Sequence, residues 1–323
     1  NVLLYAHEYL RVIFGGILCT MAYNIAASIL RSLGDSRTPL YFLILSSFLN
    51  IVLDIFFIAT LHMGTAGAAW ATVLSQGISA LLCFWYMFHN YNNLRLSIRD
   101  LYPDPYRILC MIQSGIPMAL NQTVTAFGIM ILQSGINQFG SSVMAAYTAA
   151  SKLESLVMQP MIALGTGIST YCAQNIGARK TKRIFVGVRS TMLLSLGAAI
   201  LGMALYGIAS KAILRIFLSD PSPEMVHYAL QYLYTSVWFL LFLAWIFLFR
   251  NALVGLGNGL ITIIGGVAEL LCRFLCIHFL LQPFGFWCIC LTNPITWIVA
   301  CSLFCGFYFR WEHQQKHCSK SAR

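Results

Sequence analysis

The stretch Ile29–Phe42 reads ILRSLGDSRTPLYF. It is a polar, charged island between two long apolar runs, with Arg31, Gly34, Asp35, Arg37 and Pro39 close together. The same element is written a second time. At an offset of 223 residues, Leu30, Leu33 and Gly34 recur as Leu253, Leu256 and Gly257, and Asp35 falls opposite Asn258. The offset also pairs YAHEYL at Tyr5–Leu10 with YALQYL at Tyr228–Leu233. The second copy has no arginines in its turn but keeps the glycine. The shared requirement is therefore the turn itself: a left-handed glycine that ends one helix before the next begins. Ser36 or Thr38 is expected to cap the next helix, with Pro39 in its first turn.

The runs on either side of these turns set the fold class. Hydrophobic residues make up 59% of the chain and charged residues 9%, against about 25% charge in a soluble domain. The mean hydropathy is +0.75. Apolar runs of the roughly 20 residues needed to cross a bilayer recur from end to end. Lipid leaves no partner for an unpaired backbone group, so these runs are expected to be helices. Nine are expected, at about 8–33, 40–62, 66–89, 112–139, 142–175, 184–218, 224–254, 259–281 and 285–310.

Equivalent positions of the repeat are six spans apart. An even number preserves direction across the membrane, so the copies are expected to be parallel, related by an axis along the membrane normal. Three spans precede YALQYL in the second copy and have no counterpart in the first. Mapping them back by the same offset places them about 110 residues upstream of Asn1, as expected of a two-lobed transporter. The sequence thus reads as an all-α, polytopic membrane protein. It holds nine transmembrane helices of an expected twelve, in two six-helix lobes related by a parallel repeat, with the first lobe incomplete. Residues 1–100 form the remnant of the N-terminal lobe, 101–111 a cytoplasmic linker, 112–311 the C-terminal lobe and 312–323 a cytoplasmic tail.

The basic residues behind the net charge of +10 cluster between alternate spans, with Lys211 and Arg215 as exceptions near the outer end of theirs, which argues against nucleic acid as a partner. Arg31 and Arg37 mark one loop, Arg95, Arg99 and Arg107 the next, and Arg179, Lys180, Lys182 and Arg183 a third. The intervening connections, such as LHMGTAG at 61–67 and SDPSPE at 219–224, carry no lysine or arginine. This positive-inside pattern predicts a multi-pass protein of the cell membrane with a cytoplasmic C-terminus. The eleven cysteines show no zinc spacing and read as packed free thiols. No metal site, cofactor loop or catalytic set is apparent, so an enzyme is not expected.

Several of these segments carry a family resemblance. EYLRV followed by ILRSLGDSRTPL resembles the fourth helix and following loop of the multidrug and toxic compound extrusion (MATE) transporters. LNIVLDIFFI and GTAGAAWATVLSQ are similar to the fifth and sixth helices of that family, and SGIPMALNQ to the start of the seventh. AQNIGARKTKR resembles the basic loop after the eighth, and GLGNG the end of the tenth. The resemblance identifies a bacterial-type efflux transporter, truncated at its N-terminus. It implies twelve helices around a central cavity that opens to alternate sides. It also implies Na⁺- or H⁺-coupled antiport of organic, cationic amphipathic compounds, with no cofactor beyond the coupling ion. The family's acidic residue in the first helix would lie upstream of this chain. Residues 112–139 contain no Asp or Glu where the family places its second, which leaves the coupling residues open.

Charges within spans cost about 2.5–3.5 kcal/mol at a helix centre, so each is a functional candidate. Asn121, Gln122, Gln133 and Asn137 form a polar stripe, either a cavity wall or interhelical glue. Lys152 and Glu154 are two residues apart and cannot face each other on a helix. Glu154 is a proton or cation site, or else half of a structural ion pair. Asn50 and Asp54 have i, i+4 spacing; Asp54 reads as a cation ligand, or else the pair serves a capping or interhelical hydrogen bond. Glu269 and Arg273 have the favourable order for a structural ion pair. Arg250 reads as an anchor near a helix end. The partners expected are small molecules and the lipid bilayer, with the protein a monomer. A lipid-linked oligosaccharide flippase would need more cavity lysine and arginine than Lys152, Arg250 and Arg273 supply. A fragment inactive for lack of three helices is the other alternative.

Overall fold

The structure is a computed structural model that describes residues 2–91, 94, 102–217 and 222–321. Arg95, Arg99 and part of the 219–224 connection lie outside the described residues. There is no β-strand among those described; nearly all are helical. The chain divides into two compact units, Asn1–Pro103 and Asp104–Arg323.

In the first unit α1 (Val2–Gly15) and α2 (Ile17–Ser32) meet at Gly16, where the pair bends by 46°. Glycine is required there by close approach: a Cβ on Gly16 would meet the Val73 side chain at 2.3 Å. α3 (Arg37–Ile55) runs on into a π-helical turn at Phe56–Thr60, and α4 spans Gly64–Asn90. The small buried residues Gly67, Ala69, Ala71, Ser75 and Ser79 of α4 let its neighbours approach closely.

The turn at 33–36 is built on hydrogen bonds from Gly34 N–H to Arg31 O and from Asp35 N–H to Leu30 O, both 3.0 Å. At 256–258 Gly257 N–H reaches Val254 O at 2.9 Å and Asn258 N–H reaches Leu253 O at 3.0 Å, the same pattern at equivalent residues. Gly34 and Gly257 have φ of +92° and +83°, so each is a Schellman cap that needs glycine. The start of α3 departs from the sequence expectation. Neither Ser36 nor Thr38 caps it; the Asp35 carboxylate accepts from Arg37 N–H at 3.2 Å and Thr38 N–H at 3.0 Å. Burial raises the Asp35 pKa, but hydrogen bonds from Thr38 and Arg37 together outweigh it and hold the carboxylate below its ordinary value. Pro39 is buried in the first turn, and its carbonyl accepts from Tyr23 O–H at 3.0 Å.

The second unit begins with α5 (Pro105–Asn137), capped by Asp104, whose side chain accepts from Tyr106 and Arg107 N–H. α6 (Ser141–Gly177) and α7 (Thr181–Phe217) follow, then α8 (Pro223–Ser236), capped by Ser222. α9 (Leu240–Gly255) and α10 (Gly259–Leu275) come next. A second π-helical turn at Cys276–Leu280 leads into α11 (Leu281–Phe284) and then α12 (Phe286–Ser321). The core of this unit is built from α6, α9 and α12, with Leu153, Phe249, Leu253 and Phe304 fully buried.

The outer surface is inverted relative to a soluble protein: Leu193 is 71% and Ile208 85% exposed. Such a surface is stable only against lipid. Among the described residues seven helices are long and apolar enough to cross a membrane, or eight when the bent α1–α2 pair counts as one span. Of the nine expected spans, 142–175 is the one that does not qualify. It is helical and long enough as α6, but Lys152, Glu154, Gln159 and its serines and threonines dilute its hydropathy.

Candidate functional site

A cavity of about 360 Å³ lies within the second unit, among α5, α6, α9, α10 and α12. It gathers residues that the sequence scatters over more than 160 positions, from Thr125 and Gln133 to Asn293 and Trp297. Glu154 is its most consequential member. Only 6% of this residue is exposed. Its Oε2 accepts from the Tyr232 hydroxyl at 2.7 Å, and that hydroxyl oxygen accepts from Asn293 Nδ2 at 2.9 Å. Glu154 Oε1 has no hydrogen-bond partner. The chain Glu154–Tyr232–Asn293 therefore ties α6 to α8 and α12 through one carboxylate oxygen and leaves the other free. Tyr147 packs edge-on against Tyr232 with ring centres 5.0 Å apart, which fixes the phenol from the side.

The second charged group is on α10. Arg273 Nη2 lies 3.6 Å from Glu269 Oε2, with both side chains 7% exposed. Arg273 Nε and Nη1 have no hydrogen-bond partner. The guanidinium fits because α5 has glycine opposite it: a Cβ on Gly128 would meet Nη1 at 2.7 Å. The same device recurs. A Cβ on Gly266 would meet Asn121 Nδ2 at 2.5 Å, and one on Gly165 would meet Asn251 Nδ2 at 2.7 Å. Each of these polar groups is lodged against a glycine of a neighbouring helix, where two backbones come close enough to exclude lipid. Arg250 also lines the cavity, with its guanidinium 5.1 Å from the Phe247 ring centre. That position adds a cavity wall to the reading of Arg250 as an anchor near a helix end.

The polar stripe on α5 divides. Asn121 is buried and donates to Thr262 O at 2.6 Å, joining α5 to α10. Gln122 is exposed. Gln133 lines the cavity and donates to Asn137 Oδ1 at 3.3 Å. Lys152 is exposed on the flank of α6 away from Glu154. In the first unit Asn50 donates to Thr72 Oγ1 at 3.4 Å, whereas Asp54 Oδ1 is buried without a partner. Among the described residues no group of three or more His, Cys, Asp or Glu is placed to hold a metal ion.

Sequence reasoning missed Tyr232 and Asn293 as the partners of Glu154. Tyr232 was visible only as a letter in the YALQYL repeat. Asn293 stands directly before Pro294 in an apolar run, and a polar residue beside a helix-breaking one was the available signal.

A lipid-facing helical bundle that encloses a polar, charged cavity defines a multi-pass membrane protein with an internal binding site. Comparison with known proteins makes this specific. The profile of the MatE family matches residues 1–56 and 117–284, and the chain belongs to that family. It is 33% identical over 228 residues to the probable multidrug resistance protein YpnP of Bacillus subtilis, covering 71% of this chain and 50% of that protein. It is 28% identical over 221 residues to the probable multidrug resistance protein NorM of Thermotoga maritima, covering 67% and 47%. The chain thus spans about half the length of the curated relatives it matches. Among solved structures, a MATE crystal structure in complex with MaL6 superposes with a TM-score of 0.87 at 22% identity, over 96% of this chain and 70% of that one. An outward-facing MATE transporter of the MOP superfamily superposes with a TM-score of 0.86 at 23% identity, over 96% and 70%. These two likenesses are likenesses of fold.

Proposed function

We propose that this chain serves secondary active multidrug efflux, exchanging Na⁺ or H⁺ for organic, cationic amphipathic compounds by alternating access. Family membership and relatives named as multidrug resistance proteins support export over the flippase reading. In this reading the helices belong to a twelve-helix protein of two parallel lobes in the cell membrane, a monomer with the C-terminus and the basic loops cytoplasmic. It needs no cofactor beyond the coupling ion and performs no catalysis.

The observation that carries the coupling site is Glu154. A buried carboxylate costs several kcal/mol unless its charge is met, and only one of its oxygens has a donor. A proton or Na⁺ at Oε1 would meet that charge. Occupancy would then change the strength of the tie that joins α6, α8 and α12, since a hydrogen bond to a charged acceptor is about twice as strong as one to a neutral group. An ion that prefers one arrangement of these helices shifts the population by its differential affinity alone.

The test is dye transport by the complete protein, reconstituted with an imposed Na⁺ or H⁺ gradient. Transport is expected to follow the gradient, and Glu154→Gln is expected to abolish that dependence. Equal transport with and without a gradient would end the antiport reading. Gradient-driven transport that Glu154→Gln leaves intact would remove Glu154 from it.

A further inference from the structure

A second cavity in the same unit is open at its side and of a different character. It is a groove of about 810 Å³ between α6 and α7 that includes Pro160, Gly167 and Tyr171 on one wall and Val186, Gly187 and Leu194 on the other. From Pro160 to Tyr171 the wall rises about 16 Å, close to half of the roughly 30 Å hydrocarbon thickness. Its Tyr171 end abuts the α6–α7 turn, where the phenol donates to Arg183 O at 3.2 Å. The Tyr171 ring packs so close to α7 that a Cβ on Gly187 would meet it at 2.2 Å.

That turn, ARKTKR, places Arg179, Lys180, Lys182 and Arg183 in exposed positions. None of the four forms an ion pair with a described residue. From Ser155 to Ser219 the sequence contains no Asp or Glu at all. An apolar groove one leaflet deep thus ends at a concentrated, uncompensated positive charge.

We infer that this groove holds one acyl chain of an anionic phospholipid whose phosphate rests on the 179–183 turn. Depth and charge both point to a lipid: a soluble anion would use the cations and leave the groove empty. A zwitterionic lipid would fill the groove and gain little from the cations. Each lysine or arginine near an anionic head group contributes about a fivefold gain in retention.

The experiment is native mass spectrometry of the full chain, purified in detergent and titrated with phosphatidylglycerol or phosphatidylcholine. One phosphatidylglycerol is expected to be retained at least about fivefold better than phosphatidylcholine. Two variants separate the halves of the site. In Lys180→Gln/Lys182→Gln/Arg183→Gln, which leaves one of the four cations, that preference is expected to fall at least about fivefold below that of the unaltered chain. Arg179 is left alone because its backbone is left-handed, with φ +56°. Gly167→Leu keeps the charges and fills the groove; a Cβ there meets nothing within 4 Å, so the variant is expected to fold. It should lose the retained lipid. Equal retention of both lipids by the unaltered chain would overturn the inference, as would undiminished phosphatidylglycerol in Gly167→Leu. Displacement of the lipid by millimolar inorganic phosphate would reduce the site to an anion site on the turn and overturn it too. If the triple variant fails to fold, Gly167→Leu decides alone.

Discussion

Two tyrosines of the second unit offer a matched test of the Glu154 tie. Tyr232 and Tyr206 are both fully buried, yet their hydroxyls differ completely. The Tyr232 hydroxyl donates to Glu154 Oε2 at 2.7 Å and accepts from Asn293 Nδ2 at 2.9 Å. The Tyr206 hydroxyl is buried with no partner. Phenylalanine removes the same atom from each. At Tyr232 the change deletes a hydrogen bond to a charged acceptor, about 1.5–3 kcal/mol. It also leaves the Asn293 donor unpaired, about 1 kcal/mol more. Tyr232→Phe is therefore expected to destabilise the protein by roughly 2–4 kcal/mol. At Tyr206 it deletes a hydroxyl that was desolvated without compensation, so Tyr206→Phe is expected to be neutral or stabilising by up to about 1 kcal/mol. The assay is equilibrium unfolding in mixed micelles, followed by far-ultraviolet circular dichroism. Equal losses in the two variants, or a larger loss at Tyr206, would refute the partner assignment and with it the geometry on which the coupling site rests.

Other perturbations test separate features. A Cβ on Gly255 would meet the Ser169 carbonyl oxygen at 2.3 Å; a backbone atom cannot yield, so Gly255→Ala is expected to cost about 1–3 kcal/mol in thermal unfolding despite its better helix propensity. Arg179 occupies a left-handed position at φ +56°, and Arg179→Gly is expected to stabilise the α6–α7 turn by about 1 kcal/mol, read in the same unfolding assay. Asp35→Ala removes the acceptor for two amides and should cost about 1 kcal/mol, whereas Asp35→Asn should retain most of the cap. The pH dependence follows from the depressed Asp35 pKa. Its contribution is full above the ordinary value of 3.8 and is lost as pH falls through the lower folded value. Hydrogen exchange at the Arg37 and Thr38 amides should accelerate over that acidic window beyond the intrinsic change, and should show no such excess in Asp35→Ala.

Hydropathy made the helices legible because lipid imposes a single demand on every span, and the two glycine turns were legible because only glycine adopts their backbone freely. Glu154 stood out for the same reason that it matters: a charge in an apolar run is expensive. The partners of Glu154 were not legible. They come from helices 78 and 61 residues further along in turn, and no local pattern encodes which face of α8 or α12 turns inward. Arg250 looked like an interfacial residue from its position alone, and only the placement of Phe247 and Glu269 around it made it a wall of the cavity. Asp35 was seen as part of the turn, but its role as the cap of α3 depended on the backbone path through Ser36. The α6 span was visible as a helix, while its polar content, which weakens it as a membrane segment, is also what furnishes the cavity.

The two π-helical turns, Phe56–Thr60 and Cys276–Leu280, bear on how these sequences tolerate length change. A π turn holds one residue more than the α turn it replaces. Everything beyond it is consequently rotated by about 100° relative to an uninterrupted helix. Deleting one residue from such a turn would restore the α ladder and leave the residues beyond it on the faces they now occupy. An insertion that would scramble the core elsewhere is here absorbed within a single turn. Both units keep this slack in the span that follows the glycine turn. Related chains that differ by one residue are therefore expected to show the gap at these two places, while their upstream helices stay in register.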